Sequence, residues 1–383
     1  MLSKAKITLN KKLHILFLSK WFPSRVSPTN GDFVQRHAET VATKHKVTLI
    51  HVITDEHLKK PREIIEFKTN NVKTYIVYVS PTKNPILKFF RFFKSYITVI
   101  KKIKGFNLVH LNITFPVGLI ALYLKWFKKK SYLISEHWTG YQKFSKKSIG
   151  FIQLTITKII TKNAAVVCPV SKNLQDKMVG LGLKGNYYPV PNVVNTSIFN
   201  IDESSVENFT ITHISHMGNE HKNIIGILNV ISKLQYKIPN LALNLIGNNT
   251  KQYKAQLEKL EHTSIKNIGQ IPNNEVANYL KKSSVFILFS NFENLPCVVL
   301  ESFACGIPVI STNVGGISEY FPENFGYLIQ PKDEIALENS ILNIYNNNLN
   351  FNKKLMHNYA KHNFEIESIS KTFSSLYTKI LNL

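Results

Sequence analysis

The sequence has few cysteines and no long apolar stretch. Its 383 residues include only three cysteines, Cys168, Cys297 and Cys305, all in apolar surroundings and without metal-ligand spacing. This pattern argues against a disulfide-stabilised secreted domain and favours packing roles in a reducing cytosol. No apolar run approaches the roughly 20 residues that span a bilayer. The apolar part of the basic N-terminus, Leu13–Leu18, is too short for a signal sequence and predicts a first β-strand.

Acidic residues are scarce in one half of the chain only. Residues 1–200 contain 33 Lys and Arg against 8 Asp and Glu, a balance of +25, whereas residues 201–383 contain 15 against 16, a balance of −1. The whole formal charge of +24 therefore comes from the first half. Such an asymmetry predicts that one part of the protein faces an anionic partner, either a membrane surface or a nucleic acid.

Short apolar runs of β-forming residues alternate with helical patterns along the chain. The predicted strands are 13–18, 47–53, 73–79, 107–112, 131–135, 164–170, 209–215, 241–246, 265–269, 284–289, 307–311 and 326–329. Strands that alternate with helices favour βαβ units and parallel sheets. A turn-rich stretch, "NYYPVPNVVNTSIFNIDESSVEN", separates two such series. We therefore expect an α/β fold of two Rossmann-like domains, 1–190 and 207–363, with ligands binding in a cleft at the strands' carboxyl ends.

Two glutamates, Glu293 and Glu301, stand in the otherwise apolar stretch "SNFENLPCVVLESFACGIPVIS". The run "VFILFS" predicts a strand, "NFENLP" a loop, and Pro296 suits the first position of the helix that follows. The amides of that first turn, at Cys297–Val299, have no intrahelical partner and form a site for an anion. Because helical side chains lean toward the N-terminus, Glu301 can reach the same place and accept hydrogen bonds from ribose hydroxyls.

Two further strand–helix junctions have residues suited to phosphate. Gly315 and Gly316, in "NVGGISEYF", allow close approach of a ligand to the backbone. Lys222, in "ITHISHMGNEHKNIIGIL", stands at a helix start, where it can meet a second phosphate as a point charge. Three junctions of one sheet shaped for an anion predict a nucleotide site.

These motifs resemble those of the retaining glycosyltransferase family 4, which has the GT-B fold. "FENLPCVVLESFACGIPVISTNVGGISEYF" is similar to the family's donor-site signature, and "WFPSRVSPTNGDFVQRHAETVA" to its first loop and helix, with Gly31 as the loop glycine. "FNLVHLNITFPVGLIALYLKW" and "YLISEHWTGY" resemble acceptor-side segments, and "VPNVVNTSIF" resembles the hinge. The last helix, about 364–383, resembles the segment that crosses back onto the first domain.

The resemblance implies an enzyme that transfers a sugar from a nucleotide sugar to an acceptor with retained anomeric configuration. Glu293 and His137 would be catalytic, with Glu293 at the donor sugar and its reacting region and His137 against the sugar from the first domain. Glu301 would bind the ribose and Lys222 the diphosphate. The remaining expected donor contacts are His216, Gly31, Gly315, Gly316, Asn294, Leu295, Cys297 and Val298. No metal and no cofactor besides the nucleotide sugar is expected.

The chain departs from the family pattern in two places. The arginine that usually lies five residues before the lysine is replaced by Met217, with His216 beside it. One fixed positive charge is therefore missing, or is replaced by a histidine with an ordinary pKa near 6.5. Just after the first glutamate the family favours glycines, where this chain has Asn294, Leu295 and Pro296. Both departures bear on the identity of the donor.

A basic and aromatic segment, residues 85–106, predicts an amphipathic helix. Phe89, Phe93 and Tyr96 lie at helical spacing between basic residues, and "LKWFKKK" adds a second basic-aromatic patch. A core-packed helix with a solvated basic face is one interpretation, and docking on an anionic membrane is the other. We favour the membrane and expect no nucleic-acid partner, because no binding motif for nucleic acid is present and the basic excess lies away from the nucleotide-shaped site.

The expected function is transfer of a sugar to a glycan acceptor, lipid-linked in our interpretation, in cell-surface polysaccharide or lipopolysaccharide biosynthesis. The expected location is cytoplasmic, on the inner face of the plasma membrane. Two alternatives remain open at this point. One is a GT-B nucleotide-sugar epimerase, although its interdomain acid and base residues are not evident. The other is a non-catalytic membrane-associated scaffold that binds a nucleotide sugar.

Overall fold

The computed structural model describes residues 12–141, 149–204, 208–346 and 351–383. The strands in these ranges are β1 His14–Ser19, β2 Lys46–Thr54, β3 Arg62–Thr69, β4 Val72–Val79, β5 Leu108–Asn112, β6 Tyr132–Glu136, β7 Val166–Pro169, β8 Thr210–Ile214, β9 Ala242–Ile246, β10 Ser264–Gly269, β11 Val285–Leu288, β12 Val309–Thr312 and β13 Gly326–Ile329. The α-helices are α1 Asp32–Ala42, α2 Pro85–Ile100, α3 Gly118–Lys128, α4 Phe151–Asn163, α5 Lys172–Gly180, α6 Asn219–Lys222, α7 Ile224–Leu234, α8 Lys254–Leu257, α9 Asn273–Lys281, α10 Cys297–Ala304, α11 Glu334–Asn346, α12 Lys353–Phe364 and α13 Ile366–Leu381.

The first sheet has seven strands in the order β3-β4-β2-β1-β5-β6-β7. All of its pairings are parallel except β3 with β4. Parallel strands need crossover connections, which the helices supply on both faces. Its central strands β1 and β5 are buried along their whole length, as expected for a sheet covered on both faces.

The second sheet has six parallel strands in the order β10-β9-β8-β11-β12-β13. Each of the twelve predicted strands is present within one or two residues of its expected bounds. The predicted α/β architecture with two Rossmann-like sheets is therefore confirmed. The edge strand β3 was missed, because the segment Arg62–Thr69 carries polar residues and is nowhere fully buried.

The last helix, α13, packs against the first sheet and not the second. Its apolar residues Ile369, Phe373 and Tyr377 share a core cluster with β1 and α1. Two buried polar contacts fix it there: His45 Nε2 lies 2.8 Å from Ser374 Oγ, and His110 Nδ1 lies 2.7 Å from Tyr377 Oη. The chain thus crosses back to the first sheet at its end, as predicted.

The carboxyl ends of both sheets face one cleft. Residues from the first sheet, such as His137 after β6, and from the second, such as His216 after β8, line it together. Within the described ranges, none of the helices has the length and apolar character to cross a bilayer.

Candidate active site

The cleft between the sheets has a volume of about 630 Å³, which is in the range of small-molecule sites. Nine of the twelve predicted site residues line it: His137, His216, Lys222, Glu293, Asn294, Leu295, Cys297, Val298 and Glu301. The other three predictions, Gly31, Gly315 and Gly316, lie outside its lining. The sequence prediction therefore converges on one place, although the role of each residue stays a prediction.

Glu301, in the second turn of α10, is fully buried. Its Oε1 accepts hydrogen bonds from Arg36 Nη1 at 2.6 Å and from Asn273 Nδ2 at 3.1 Å. Its Oε2 is buried and has no hydrogen-bond partner among the described residues. A buried carboxylate oxygen at the cleft without a donor is costly unless a donor arrives from elsewhere. The geometry leaves one carboxylate oxygen of Glu301 for a hydroxyl of a ligand.

Glu293 lies in the loop after β11 and pairs with Lys222 at the end of the short helix α6. His221 Nε2 lies 3.6 Å from the same carboxylate oxygen. Burial alone would raise the pKa of Glu293, but the nearby Lys222 and His221 hold that pKa well below its ordinary range. The carboxylate is therefore ionised at neutral pH, and its charge and that of Lys222 form a fixed dipole in the cleft wall.

Helix α10 begins at Cys297, with Pro296 as the extended residue before it (φ −70°, ψ 127°). Pro296 thus precedes the first helical residue and does not occupy it, which corrects our placement by one position. Val299 N donates to the Pro296 carbonyl oxygen at 3.3 Å, which corrects the expectation that this amide is free. The amides of Cys297 and Val298 have no intrahelical acceptor, and both residues line the cleft. Burial raises the pKa of the Cys297 thiol to about 12, so the thiol is neutral beside the helix N-terminus.

Gly315 and Gly316 approach protein atoms closely in this structure. Gly315 has φ +62°, and a Cβ there would lie 2.0 Å from the Glu293 carbonyl oxygen. A Cβ on Gly316 would lie 2.3 Å from Cβ of Ser171 in the first domain. The two glycines therefore let the loop after β12 press against the Glu293 loop and the opposite domain. Their expected contact with the donor stays a prediction.

Gly31 precedes α1 in a left-handed conformation, with φ +78°. A Cβ at this position would lie 2.4 Å from the carbonyl carbon of Trp21. The glycine therefore allows the loop after β1 to pack against the start of α1. That packing places Asp32 and Arg36 of α1 in the cleft lining.

His137 is buried at the first-domain wall of the cleft, with its ring 4.4 Å from that of Phe33. Burial holds the pKa of His137 well below its ordinary value, and the nearby His37 and His110 lower it further. The imidazole is therefore neutral at pH 7 and can donate one hydrogen bond but carries no charge. Its Nε2 is buried without a hydrogen-bond partner in the described part of the chain.

His216 does not replace the missing positive charge. Burial, together with Lys222 and His221, lowers its pKa to about 4, so it is neutral near pH 7. Met217 is buried in the core of the second domain with φ +56° and cannot supply a charge either. Of the two alternatives from the sequence, the structure supports a missing charge at this position.

Asn294 and Leu295 stand where the family favours glycines. Asn294 contacts the first domain, and Leu295 contacts the linker between the domains. Asn294 Nδ2 donates to the His137 carbonyl oxygen at 2.7 Å, and Asn192 Nδ2 donates to the Leu295 carbonyl oxygen at 2.6 Å. Nearby, the Glu319 carboxylate accepts from the first amides of α5, including Lys172 N at 2.7 Å. These contacts connect the two sides of the cleft.

Sequence reasoning missed several residues at the cleft. The most consequential is Arg36, which links Glu301 with Asp32; the others are Asp32, Asn192, His221 and Asn273. The spacing of Asp32 and Arg36, four residues apart on one helix face, was a visible signal for an ion pair. Nothing in the sequence shows that the arginine also reaches a glutamate 265 positions further on.

Two family models match the chain: Glycosyltransferase Family 4 over residues 33–198 and Glycosyl transferases group 1 over residues 196–363. Among curated relatives, TuaC of Bacillus subtilis, named for a glycosyltransferase role in teichuronic acid biosynthesis, is 27% identical over 247 residues, 61% of this chain and 60% of that protein. A human protein named as part of a phosphatidylinositol N-acetylglucosaminyltransferase is 21% identical over 388 residues, 96% of this chain and 76% of that protein.

Among solved structures, HepE from Anabaena in complex with UDP-glucose matches with a TM-score of 0.74. The sequences are 13% identical, and the match covers 96% of this chain and 100% of HepE. At that identity the likeness shows the fold alone. The two family models together span residues 33–363, and with the fold they identify the chain as a GT-B glycosyltransferase of the family 4 type.

Proposed function

We propose that the protein transfers a sugar, with retained anomeric configuration, from a nucleotide-sugar donor in the interdomain cleft to a glycan acceptor. One observation carries the proposal: Glu301 lines the cleft with one carboxylate oxygen fixed by Arg36 and Asn273 and the other without a donor among the described residues. Ribose hydroxyls are donors of the kind that this oxygen lacks. HepE, a structural neighbour, is described in complex with UDP-glucose, which supports a donor of that class.

The diphosphate of the donor would meet the first-turn amides of α10 and the ammonium of Lys222. A helix N-terminus and a point charge favour an anion. They would stabilise the charge that develops on the leaving diphosphate, and no metal ion is needed in this scheme. Because Lys222 pairs with Glu293 across the cleft wall, the position of its charge is fixed before the donor binds.

Glu293 and His137 would face the donor sugar from opposite domains. Glu293 is ionised and His137 is neutral, so the two offer a charge and a neutral hydrogen-bonding group. The Asn294 contact to the His137 carbonyl brings the two residues' segments together. In this proposal, closure of the two domains around the donor completes the reacting site.

The acceptor that we propose is a lipid-linked glycan of a cell-surface polysaccharide or lipopolysaccharide. TuaC is named for teichuronic acid biosynthesis, and the human relative's name includes phosphatidylinositol, a lipid. An apolar surface supports a membrane location: Phe89 and Phe90 on α2 and Trp126 and Phe127 on α3 are each at least 44% exposed. We call these four residues the aromatic face.

The aromatic face is continuous across two helices. The Phe93 ring of α2 lies 5.8 Å from Tyr123 of α3, which lies 5.4 Å from Phe127. Exposed Lys88, Lys94 and Lys128 flank the face. Exposed aromatic residues among lysines suit the boundary of an anionic leaflet, and we propose the inner face of the plasma membrane as its location.

A thermal-shift panel of UDP-, GDP-, ADP- and CMP-linked sugars tests the donor site. One class should raise the melting temperature in proportion to the logarithm of its concentration, because ligand bound to the native state stabilises it by mass action. The stabilising donor is then incubated with enzyme, with and without EDTA, and release of the nucleotide is measured. No shift with any donor would overturn the proposal.

A further inference from the structure

Lys20, directly after β1, lies between two tryptophans. Its Nζ lies 5.5 Å from the ring centroid of Trp21 and 5.9 Å from that of Trp138, which follows β6. The Trp138 ring packs over Gly140, where a Cβ would lie 2.1 Å from a ring carbon, and 5.0 Å from the Tyr141 ring. The indole is therefore fixed in place, and Lys20, Trp21 and Trp138 form a preorganised surface that we call the lysine–tryptophan platform.

The ammonium of Lys20 has no carboxylate within ion-pair distance in the described ranges of the chain. Burial lowers its pKa, and the charge of Glu136 acts in the opposite direction. Glu136 itself is saturated by other donors, which are the amides of Thr114, His137 and Trp138 and the hydroxyls of Thr114 and Tyr141. A partly desolvated ammonium beside aromatic rings can bind an anionic group of a ligand.

The platform is continuous with the cleft. The Trp21 ring lies 6.2 Å from the Phe33 ring, which lies 4.4 Å from the His137 ring. Phe33 and His137 line the cleft, whereas the platform residues lie beside that lining. Both strands that lead to the platform, β1 and β6, end at the carboxyl edge of the first sheet, where ligands of such sheets bind. A group held on the platform can thus extend toward the donor sugar.

We infer that the lysine–tryptophan platform is an acceptor subsite for a sugar that carries an anionic group, either a phosphate or a carboxylate. The indole faces would pack on the C–H face of the pyranose, and the Lys20 ammonium would bind the anion as a point charge. This inference rests on the proposed function, because it assigns the acceptor of that reaction. The acceptor sugar would thus lie on the first domain, apart from the donor, which in the proposed function binds at the second-domain wall of the cleft.

The tryptophans themselves provide the readout. The chain has three, Trp21, Trp126 and Trp138, so Trp126→Phe leaves tryptophan fluorescence, excited at wavelengths that tyrosine does not absorb, from the platform alone. In that background, with the donor cleft saturated by the nucleotide of the stabilising donor from the thermal-shift panel, the protein is titrated with glucose, glucuronate and glucose 1-phosphate. We expect at least one anionic sugar to change the tryptophan emission at a concentration tenfold lower than the glucose concentration that gives the same change. A response to glucuronate alone assigns a uronic acid, and a response to glucose 1-phosphate alone assigns a phosphate.

Substitution of the lysine identifies the group responsible. Lys20→Met should remove the tenfold preference and Lys20→Arg should retain it, whereas Lys46→Met, at an exposed lysine in the same domain, should have no effect. Equal responses to glucose and to both anionic sugars, or a preference that survives in Lys20→Met, would overturn the inference. The thermal shift of Lys20→Met with the nucleotide-sugar panel is measured in parallel and should match the wild type. Absence of a shift in the wild type with every donor of the panel would count against the donor site and leave the fluorescence result valid.

Discussion

Arg36 of the first domain donates a 2.6 Å hydrogen bond from Nη1 to Oε1 of Glu301 in the second domain. The Glu301 side chain is 1% exposed and that of Arg36 17%, so the pair is largely removed from water. Asp32 accepts from the other terminal nitrogen of Arg36 at 2.9 Å and keeps the guanidinium oriented. One contact therefore both links the two domains and orients the residue that we expect at the ribose.

Arg36→Met should destabilise the protein, because removal of one partner leaves a buried carboxylate without its counter-ion. Breaking such a pair costs about 3–5 kcal/mol. Donor affinity should fall as well, since Glu301 loses the contact that fixes it. The measurements are urea unfolding and donor titration by calorimetry. Lys237→Met is the matched control: its ion pair with Glu338 is half exposed and should contribute at most about 1 kcal/mol. Equal effects of the two variants would contradict a special role for Arg36.

Glu301→Gln should weaken binding of the stabilising nucleotide sugar. An amide oxygen accepts less strongly than a carboxylate, and loss of a charge-assisted hydrogen bond costs about 1.5–3 kcal/mol, or roughly 10- to 150-fold in Kd. The double variant with Arg36→Met should lose less than the sum of the two single variants, because both act on one contact. Strict additivity in the calorimetric Kd values would show that Arg36 acts independently of Glu301.

Glu293→Gln should lower turnover far more than donor affinity. The substitution preserves shape but removes the charge that faces the expected position of the sugar, while Lys222 keeps an oxygen acceptor in place of the carboxylate. Nucleotide release at saturating donor gives kcat, and calorimetry gives Kd. Glu323→Gln, at an exposed glutamate of the same domain, is the control. Unchanged kcat in Glu293→Gln would remove this residue from the mechanism.

The fold was accessible from the sequence because buried parallel strands have a strong local pattern. The missed strand β3 shows where such patterns fail: Arg62–Thr69 is an exposed edge whose apolar residues do not alternate cleanly. The sequence nevertheless contains a signal for this strand, the pair Asn70 and Asn71. Both residues adopt positive φ (47° and 65°) in the tight turn to β4. Two asparagines at such a turn are typical of a β-hairpin.

The sequence predicted which motifs form the candidate site, but not which side chains contact one another there. Glu293, Lys222 and Glu301 lie on strand–helix junctions of one sheet, and parallel topology places such junctions at one edge. The contacts of Arg36 to Glu301 and of Asn294 to His137 depend on how two domains dock. Docking is set by surfaces that are far apart in sequence, so no local pattern encodes these contacts.

Stability should fall as the pH falls from about 6.5 toward 4. Burial lowers the pKa of His37, His51 and His213 to about 4 each. In the unfolded chain their pKa is near 6.5, so between these values the unfolded state binds more protons and is favoured. Each such histidine lowers the free energy of unfolding by about 1.4 kcal/mol for each pH unit below 6.5 in this window. At pH 7.5 both states are neutral and no such loss occurs.

Urea unfolding at pH 7.5, 6.5 and 5.5 measures this slope. His213→Gln should make it shallower, because one buried group that resists protonation is gone, while the exposed His262→Gln should leave it unchanged. The absolute stability of His213→Gln at pH 7.5 is a separate quantity, and only the slope tests the argument. A slope that His213→Gln leaves as steep as the wild type would show that His213 does not contribute to acid destabilisation.

The aromatic face should bind the protein to anionic vesicles. A phenylalanine side chain contributes roughly 1.5–3 kcal/mol when fully buried, and each nearby lysine about 1 kcal/mol at an anionic surface. Phe90→Ser with Phe127→Ser should therefore reduce sedimentation with such vesicles. The control is Tyr236→Ser with Ile335→Ser, at two residues of the second domain that are 72% and 71% exposed. Equal losses in both double variants would contradict a specific face.

The charge contribution is tested by Lys88→Glu, Lys94→Glu and Lys128→Glu together, since all three lysines are exposed beside the aromatic face. Arg91 is left intact because its Nη1 donates to Ser80 Oγ at 3.0 Å and thus links α2 to the segment that precedes it. The triple variant, and 1 M salt with its Debye length of about 3 Å, should each release the protein. The control is a second triple variant, Lys233→Glu, Lys251→Glu and Lys259→Glu. It changes the net charge by the same amount in the second domain and should leave vesicle binding unchanged. Equal binding of the wild type to neutral and anionic vesicles would exclude the electrostatic contribution. Tight binding to DNA without vesicle binding would identify a nucleic acid as the anionic partner.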